Sequence, residues 1–184
     1  MAKEITVIYQ DNNFLVLDKP AGLVVDPAET VKVETLADIL QKDFGIKLVR
    51  GGIVHRLDKD TSGVILAAKT QEALENLQSQ FKDRVVKKEY LALIHGLITE
   101  AGLVDAAIAR NPENREKFIV MESGEAREAV TEYEPIKRLE ISGQRLVEIF
   151  TGFSKIQFRK LYAIRYSLFT LLRCKPRTGR THQI

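Results

Sequence analysis

The stretch GGIVHRLDKDTSGVILAA, residues 51–68, is the clearest indication of how this chain folds. Its apolar end, VILAA, is typical of a buried β-strand. The polar, glycine-rich part before it is therefore a loop that leads into a strand, a position where proteins often place functional side chains. Asp58 lies in this loop among Arg56, Lys59 and Asp60. From these residues alone, the loop is either a surface turn or the holder of a reacting group.

The segments before this loop predict a hairpin and a helix. Two β-branched runs, ITVIY at 5–9 and NFLVLDK at 13–19, are separated by the polar residues QDNN, a pattern typical of paired strands. A tight turn follows at KPAG, where proline and glycine interrupt regular structure. The segment ETLADILQKDFG at 34–45 then has the spacing of a helix that Gly45 would end. Its predicted buried face consists of Leu36, Ile39, Leu40 and Phe44.

The segments after the loop predict one further helix and several strands. TQEALENLQSQFKDR at 70–84 reads as an amphipathic helix with Thr70 as its N-cap and with Leu74, Leu77 and Phe81 facing inward. Further short strands are predicted at KKEYLALIHG, LVDAAI, KFIVM, EAVTEYEPI, RLVEIF and SLFTLLRCK. This order predicts an α+β fold, mixed, with a largely antiparallel central sheet and flanking helices.

The composition is that of an ordinary globular protein. Of the 184 residues, 45% are apolar and 29% are charged, which suits one domain or at most two small ones. No apolar run reaches the roughly 18–20 residues that span a bilayer, and the N-terminal residues lack the apolar core of a secretory signal. Cys174 is the single cysteine, so an internal disulfide is excluded. We therefore expect a cytoplasmic protein.

The charges are unevenly distributed along the chain. The net charge is +3, but no Asp or Glu follows Glu148. The basic residues beyond that point are Lys155, Arg159, Lys160, Arg165, Arg173, Lys175, Arg177 and Arg180. A basic segment on an acidic body indicates a polyanion partner such as nucleic acid. A solvated basic surface explains the charge equally well.

Several types of catalytic site lack the residues that they require. The histidines, His55, His95 and His182, lie far apart, and no Cys or His pair has the spacing of metal ligands, so no metal is expected. Neither the GxxxxGKS/T phosphate loop nor GxGxxG occurs. The tetrapeptide HRLD resembles part of a kinase catalytic loop, but the other kinase motifs are missing. A phosphotransferase is therefore a distant alternative.

The remaining candidate for a catalytic group is the carboxylate of Asp58, which has arginines near it. An aspartate of ordinary pKa is ionised at neutral pH, and a neighbouring arginine in a cleft would favour the ionised form. An ionised carboxylate can act as a nucleophile, as it does in some glycosidases. The alternative is that Asp58 caps a turn or pairs with Arg56 at the surface.

Four segments form an ordered set of motifs. HRLDKDTSGVILAAKT, which starts at His55, matches the pattern H-R-L-D-x-x-T-S-G followed by an apolar strand. LDKPAGLVVDP at 17–27 matches a K-P-x-G block, KKEYLALIHG at 87–96 matches K-x-Y-x-A-x-x-x-G, and RTGRTHQI at 177–184 matches T-G-R-T-H-Q-I/L. Together, over residues 14–184, they resemble the motifs of the RluA-type RNA pseudouridine synthases, and four matches in order are highly specific.

The resemblance implies the pseudouridine synthase catalytic fold and the isomerisation of specific uridines in structured RNA, rRNA or tRNA, to pseudouridine. By similarity, Asp58 is the catalytic nucleophile, Tyr90 stacks on the target base, and Arg180 pairs with the nucleophile. The uridine must leave the base stack to be reached, and stacking on an aromatic ring offsets part of that cost. No cofactor is implied, because uracil itself is both the leaving group and the returning nucleophile.

The resemblance also implies residues that bind RNA. Arg56 would fill the space that the flipped uridine leaves, and we assign His55, Lys19 and Arg177 to RNA binding as well. Ordinary structural roles are the alternatives: hydrogen bonds within its own loop for His55, a turn for Lys19 and a strand core position for Tyr90. The expected partner is RNA, with no membrane and no small-molecule cofactor, and the expected state is a monomer.

Two features depart from the family pattern. The chain ends at Ile184, inside the last motif, so we expect a single catalytic domain over 1–184 that is incomplete at its C-terminus. Residues 139–166 lengthen a region that is usually a short turn, and we treat them as an atypical insertion: an RNA-contacting loop, or a wrongly predicted gene segment. The alternative function is a catalytically impaired RNA-binding protein that retains the synthase scaffold.

Overall fold

The computed structural model describes residues 5–27, 33–114, 117–121, 126–145 and 166–184. The chain divides into two compact units, residues 1–86 and 87–184. The elements are, in chain order, β1 (Thr6–Gln10), β2 (Phe14–Lys19), α1 (Leu36–Asp43), β3 (Gly63–Ala68), α2 (Gln71–Lys82), β4 (Tyr90–His95), β5 (Gly102–Asp105), β6 (Ile108–Arg110), β7 (Phe118–Val120), β8 (Val130–Ser142) and β9 (Tyr166–Pro176).

The first unit is built on an antiparallel sheet in the order β1-β2-β3, which confirms the predicted hairpin. Leu15, Leu17 and Lys19 are all buried on one face of β2, because successive side chains of a strand point to opposite faces. The register places Ala67 and Ile65 of β3 opposite Leu15 and Leu17. These four apolar side chains are at most 1% exposed, and they form the core on this face of the sheet.

Both predicted helices form, and each begins at a threonine cap. At α1, the backbone N–H of Asp38 donates to the Thr35 hydroxyl at 3.3 Å, and the Asp38 carboxylate accepts from the Thr35 backbone N–H at 2.8 Å. The hydrogen bond from the Thr35 side chain holds the pKa of Asp38 below its ordinary value. At α2, the Thr70 hydroxyl accepts from the Ala73 N–H, as the sequence predicts.

The buried faces of the helices follow the predicted spacing. In α1, Leu36, Ile39 and Leu40 are buried, whereas Phe44 at the C-cap is only half-buried. The helix ends just before Gly45, which takes a positive φ of 65°. In α2, Leu74 is buried, while Leu77 and Phe81 are half-buried.

The second unit is built on an antiparallel sheet in the order β4-β9-β8-β5, and β6 and β7 form a separate ribbon. The β8–β9 ladder runs from the pair Thr131–Pro176 to the pair Ser142–Tyr166, with one shift of register after Pro135. Proline has no amide hydrogen to donate to a neighbouring strand, so a bulge is where a sheet tolerates it.

The predicted α+β class is confirmed, and every described strand pairing is antiparallel. The predicted strand LVDAAI is divided between the end of β5 and the start of β6. Residues 139–142 of the predicted insertion belong to β8, and Tyr166 begins β9. Residues 146–165, with most of the predicted strand RLVEIF, lie outside the described residues. The assignment of 1–184 to a single domain stays a prediction.

Among the residues that the structure describes, neither helix has the length and apolar character that crossing a bilayer requires.

Candidate active site

The loop that leads to Asp58 is pressed against the core of the first unit at two glycines. Gly51 and Gly52 have positive φ angles of 62° and 74°. A Cβ atom at Gly52 would lie 2.0 Å from the carbonyl oxygen of Ala68, and one at Gly51 would lie 2.9 Å from that of Ala37. Only glycine fits here, because the backbone lies directly against β3 and α1. The pair GG therefore sets the path of the loop.

Lys19 supports the same loop from inside the unit. Its side chain is 0% exposed, and its ammonium group donates to the carbonyl oxygens of Leu23 at 2.9 Å and Lys59 at 3.0 Å, and also to that of Pro20. The Gly22 N–H donates to the same Lys59 oxygen at 2.7 Å. The residue after Asp58 is thus held by two donors. The buried position corrects the predicted RNA contact of Lys19: the side chain shapes the loop instead.

Asp58 lies on a turn that is held by a buried neighbour and by a backbone hydrogen bond. Leu57 is buried, and the carbonyl oxygen of Asp58 accepts from the Thr61 N–H at 3.1 Å. The Asp58 side chain is half-buried, and Arg56 is exposed. The backbone at Asp58 is thus held by this turn, and the role of Asp58 as the nucleophile stays a prediction.

The His55 side chain makes its contacts within the first unit. Its Nε2 atom accepts a hydrogen bond from the Leu66 N–H at 3.1 Å, and its ring stacks on Phe81 with the centroids 4.5 Å apart. These contacts join the loop to β3 and α2. They give His55 a structural role, but with partners on β3 and α2 and not within its own loop. Its RNA contact stays a prediction, as does that of Arg56.

A further pair that sequence reasoning missed ties this loop to the segment after KPAG. The Arg50 guanidinium donates to both carboxylate oxygens of Asp26, with Nε–Oδ1 at 2.8 Å. Arg50 adopts a positive φ of 56°, a conformation that side-chain-bearing residues rarely take. No local pattern signals this pair, because its members are 24 positions apart.

Tyr90 opens β4 in the second unit and is half-buried, and its register partner on β9 is Cys174. Two residues before it, the Lys88 ammonium donates to the carbonyl oxygen of Thr178 at 3.0 Å. The lysine of the K-x-Y motif therefore binds the loop that carries Arg180. Sequence reasoning noted the motif but assigned no role to this lysine.

The loop TGRTHQ is held by its own side chains. The Gln183 amide oxygen accepts from the Thr178 hydroxyl at 2.8 Å and from the Arg180 N–H at 2.9 Å. Its amide nitrogen donates to the Val130 carbonyl at 3.0 Å and to the Thr131 hydroxyl at 2.9 Å. Thr178, which is 2% exposed, also accepts from the Val130 N–H. The threonine and the glutamine of the motif thus dock the loop onto the start of β8.

Arg180 is half-buried, and its Nε atom donates to the Glu128 carbonyl oxygen at 2.9 Å. Its side chain is therefore anchored at one nitrogen. The structure places Asp58 in the first unit and Tyr90 and Arg180 in the second. The predicted pairing of Arg180 with Asp58 stays a prediction.

Two arginines in and just after β9 are engaged by carboxylates on β8 and just before β4. Arg173 donates to Glu89 at 3.0 Å and to Glu134 at 2.8 Å, and Arg177 pairs with Glu132. The Arg173 guanidinium holds the pKa of Glu134 below its ordinary value. The basic C-terminal segment is thus partly neutralised within the unit, and the RNA contact of Arg177 stays a prediction.

A cleft of about 550 Å³ opens beside Arg180 in the second unit. Its lining residues are Ile108, Ala109, Arg110, Pro112, Phe118, Met121, Arg127, Gly179, Arg180 and Thr181. These described lining residues include three arginines, and none of them is an Asp or a Glu. Sequence reasoning missed this feature, since Arg110 and Arg127 belong to no motif that it used.

The chain belongs to the RNA pseudouridylate synthase family, whose model matches residues 13–184. This confirms the family that the four motifs indicate.

Two bacterial relatives are each called ribosomal large subunit pseudouridine synthase D. The protein of Xanthomonas campestris pv. campestris is 40% identical over 182 residues, which are 98% of this chain and 46% of that protein. The protein of Nitrosomonas europaea is 38% identical over 180 residues, 97% of this chain and 44% of that protein. The chain thus spans about half the length of these relatives.

Two solved human structures have the same fold. RNA pseudouridylate synthase domain containing 1 superposes with a TM-score of 0.71 at 24% identity, over 100% of this chain and 63% of that one. RNA pseudouridylate synthase domain containing 4 gives a TM-score of 0.62 at 26% identity, over 96% of this chain and 60% of that one.

Proposed function

We propose that this chain is the catalytic part of an RNA pseudouridine synthase, an enzyme that isomerises selected uridines in structured RNA. The observation that carries the proposal is the turn at Asp58: a family-specific motif whose carboxylate stands, half-buried, on a backbone held by Lys19 and Gly22. Family membership supports it, as do the names of the two bacterial relatives.

The reaction requires one bond to break and another to form on the same ribose. The N1–C1′ glycosidic bond breaks, the uracil turns, and a C5–C1′ bond forms. C5 then loses its proton and N1 gains one, so no other reactant is consumed. Asp58 is the nucleophile that assists this exchange, and Tyr90 stacks on the extruded base. Arg180 is the partner that orients the carboxylate and keeps it ionised.

The proposed substrate is ribosomal RNA. Two relatives that share 38–40% identity with almost the whole of this chain are named for the large ribosomal subunit. Because ribosomal RNA is the proposed substrate, the protein is proposed to be cytoplasmic. The monomeric state stays a prediction.

The test compares Asp58→Asn with the wild-type chain on ribosomal RNA that carries tritium at C5 of uridine. Tritium is released when C5 loses its proton, so the wild type should release it and Asp58→Asn should not. Asp60→Asn, which alters an exposed aspartate of the same loop, is the matched control and should keep its activity. Equal release by the wild type and Asp58→Asn would refute the catalytic role of Asp58. A folded wild-type chain that binds RNA and releases no tritium would be the impaired RNA-binding protein instead.

A further inference from the structure

The loop that carries Arg180 leaves the second sheet from an interior strand. In the order β4-β9-β8-β5, β9 lies between β4 and β8, and the loop begins directly after Pro176, the last residue of β9. The register pairs Pro176 with Thr131 of β8, and Cys174 with Tyr90 of β4. Because both ladders are antiparallel, the starts of β4 and β8 flank the point where the loop leaves the sheet.

On the β8 side, the loop is held through its backbone and through two side chains. The Arg177 N–H donates to the Val130 carbonyl oxygen at 2.9 Å. Thr178 and Gln183 bind the same end of β8. These bonds fix one side of the loop, and the position of its other side depends on what meets it from β4.

On the β4 side, Lys88 makes this contact. Its ammonium group donates to the Thr178 carbonyl oxygen at 3.0 Å, and a Cβ atom at Gly179 would lie 3.5 Å from the same nitrogen. Thr178 and Gly179 are the two residues directly before Arg180. A hydrogen bond from a charged donor is stronger than one from a neutral donor. Lys88 therefore holds the backbone from which the Arg180 side chain projects.

The segment that carries Lys88 also carries Tyr90, and the two side chains share a face. From residue 86 to residue 92, half-buried and exposed residues alternate, with Lys88 and Tyr90 half-buried and Glu89 exposed between them. Alternate residues of an extended chain point to the same face. Glu89 points to the opposite face, where Arg173 binds it. The K-x-Y spacing thus places the lysine that holds the Arg180 loop on the face that presents Tyr90.

We propose that Lys88 is a positioning residue for the isomerisation, because it sets the place of Arg180 relative to Tyr90. This inference rests on the proposed function, in which Arg180 orients the nucleophile and Tyr90 stacks on the base. Lys88 acts through the loop and not on the substrate. Small displacements of a catalytic group slow the chemical step strongly, so loss of this ammonium slows the reaction while RNA binding continues.

The first test separates kcat from KM in tritium release from ribosomal RNA that is labelled at C5 of uridine. Lys88→Met keeps the length of the side chain and removes the ammonium. It should lower kcat about 10–100-fold and leave KM within about twofold of the wild type. Lys88→Arg still offers charged N–H donors and should recover most of kcat. Lys87→Met, at the exposed lysine next to it, should change neither quantity.

The second test asks whether Lys88 acts through Arg180. Arg180→Met should itself lower kcat strongly. Adding Lys88→Met to it should lower kcat little further, because the effects of residues that act as a unit are not additive. A lysine that only stabilises the fold would lower kcat by the same factor in both backgrounds, and that result would overturn the inference.

Hydrogen exchange followed by mass spectrometry measures the loop itself. The Arg180 N–H is bonded to Gln183 in the docked loop. The backbone amides of residues 177–184 should therefore exchange faster in Lys88→Met than in the wild type, and those of β3 in the first unit should not change. Each variant is first compared with the wild type by circular dichroism, and Lys88→Gln replaces Lys88→Met if that variant does not fold.

The outcomes distinguish this inference from the proposed function. If the wild type releases tritium and Lys88→Met has the same kcat, the positioning role is wrong and the function stands. If the wild type releases none, the function fails, and hydrogen exchange decides the role of Lys88. Faster exchange of residues 177–184 in Lys88→Met, but not in Lys87→Met, then supports its hold on the Arg180 loop, and equal exchange overturns it.

Discussion

The loop that carries Asp58 in the first unit and the loop that carries Arg180 in the second unit are held by different contacts. The first is held from the interior: Lys19 is buried under it, and Gly52 lies against β3. The second is held by polar side chains of its own motif, chiefly Gln183.

Because of this difference, substitutions in the two loops should affect stability and activity differently. A buried ammonium or a glycine in backbone contact cannot be exchanged without disturbing the core, so changes there should lower stability and activity together. A network of side-chain hydrogen bonds near the surface contributes less to the free energy of unfolding, yet it still sets the position of Arg180. Changes there should lower activity more than stability.

The largest expected effect is that of Gly52→Ala. The new methyl group would meet the Ala68 carbonyl at 2.0 Å, and the residue would keep a positive φ, so we expect a loss of about 4 kcal/mol in the free energy of unfolding. Urea denaturation measures it. Gly45→Ala is the control: it also has a positive φ but no atom within 4 Å, so it should cost about 1 kcal/mol. Similar losses for both would show that the contact with β3 is unimportant.

The next effect is that of Lys19→Met, which keeps the length of the chain but removes the ammonium. Three backbone carbonyl oxygens would lose a charged donor, so we expect a loss of about 3 kcal/mol and a strong loss of tritium release. Lys47→Met, at an exposed lysine of the same unit, should leave both unchanged. Wild-type activity in Lys19→Met would break the proposed link between this lysine and the Asp58 loop.

A smaller effect on stability is expected from Gln183→Leu and Thr178→Val. Each removes hydrogen bonds that dock the Arg180 loop, at about 1–2 kcal/mol apiece. Because the two side chains bond to each other, the double variant should lose less than the sum, with a coupling of about 1 kcal/mol. Tritium release should fall further than stability does. Additive losses would argue against one network.

The smallest effect is expected from Glu134→Gln on the exposed face of the second sheet. Arg173 keeps the pKa of Glu134 below its ordinary value, so the carboxylate stabilises the folded state above the unfolded pKa. That contribution disappears as the pH falls through the folded pKa. The difference between wild type and variant should therefore be largest at neutral pH and low salt and absent in acid. Glu140→Gln, at an exposed glutamate of the same strand, is the comparison, and an equally pH-dependent loss there would remove the role of Arg173.

Much of the fold could be predicted because its signals are local. The hairpin at β1 and β2, the caps at Thr35 and Thr70, and the end of α1 before Gly45 all follow from patterns within a few residues. The division of LVDAAI between β5 and β6 could not be predicted in this way, because it depends on which strand each half pairs with.

The candidate site was predicted in part. Asp58, Tyr90 and Arg180 were chosen from motifs, and the structure shows how each backbone is held. Lys19 was assigned to RNA binding with a turn as the alternative, and its burial reverses that assignment. Burial is a property of the folded chain, and no pattern of neighbouring residues shows that three carbonyl oxygens will surround this ammonium.

The sequence by itself determined the family and the fold class, because motifs and periodicity lie within short segments, and it named Asp58, Tyr90 and Arg180 as the candidates for the chemistry. Only the tertiary structure decided that Lys19 supports the Asp58 loop from 40 positions away, and that Gln183 reaches Thr131 across 52 positions. It also decided that Lys88 binds Thr178 across 90 positions. These relations depend on strand register and long-range hydrogen bonds, which exist only once distant parts of the chain have been brought together.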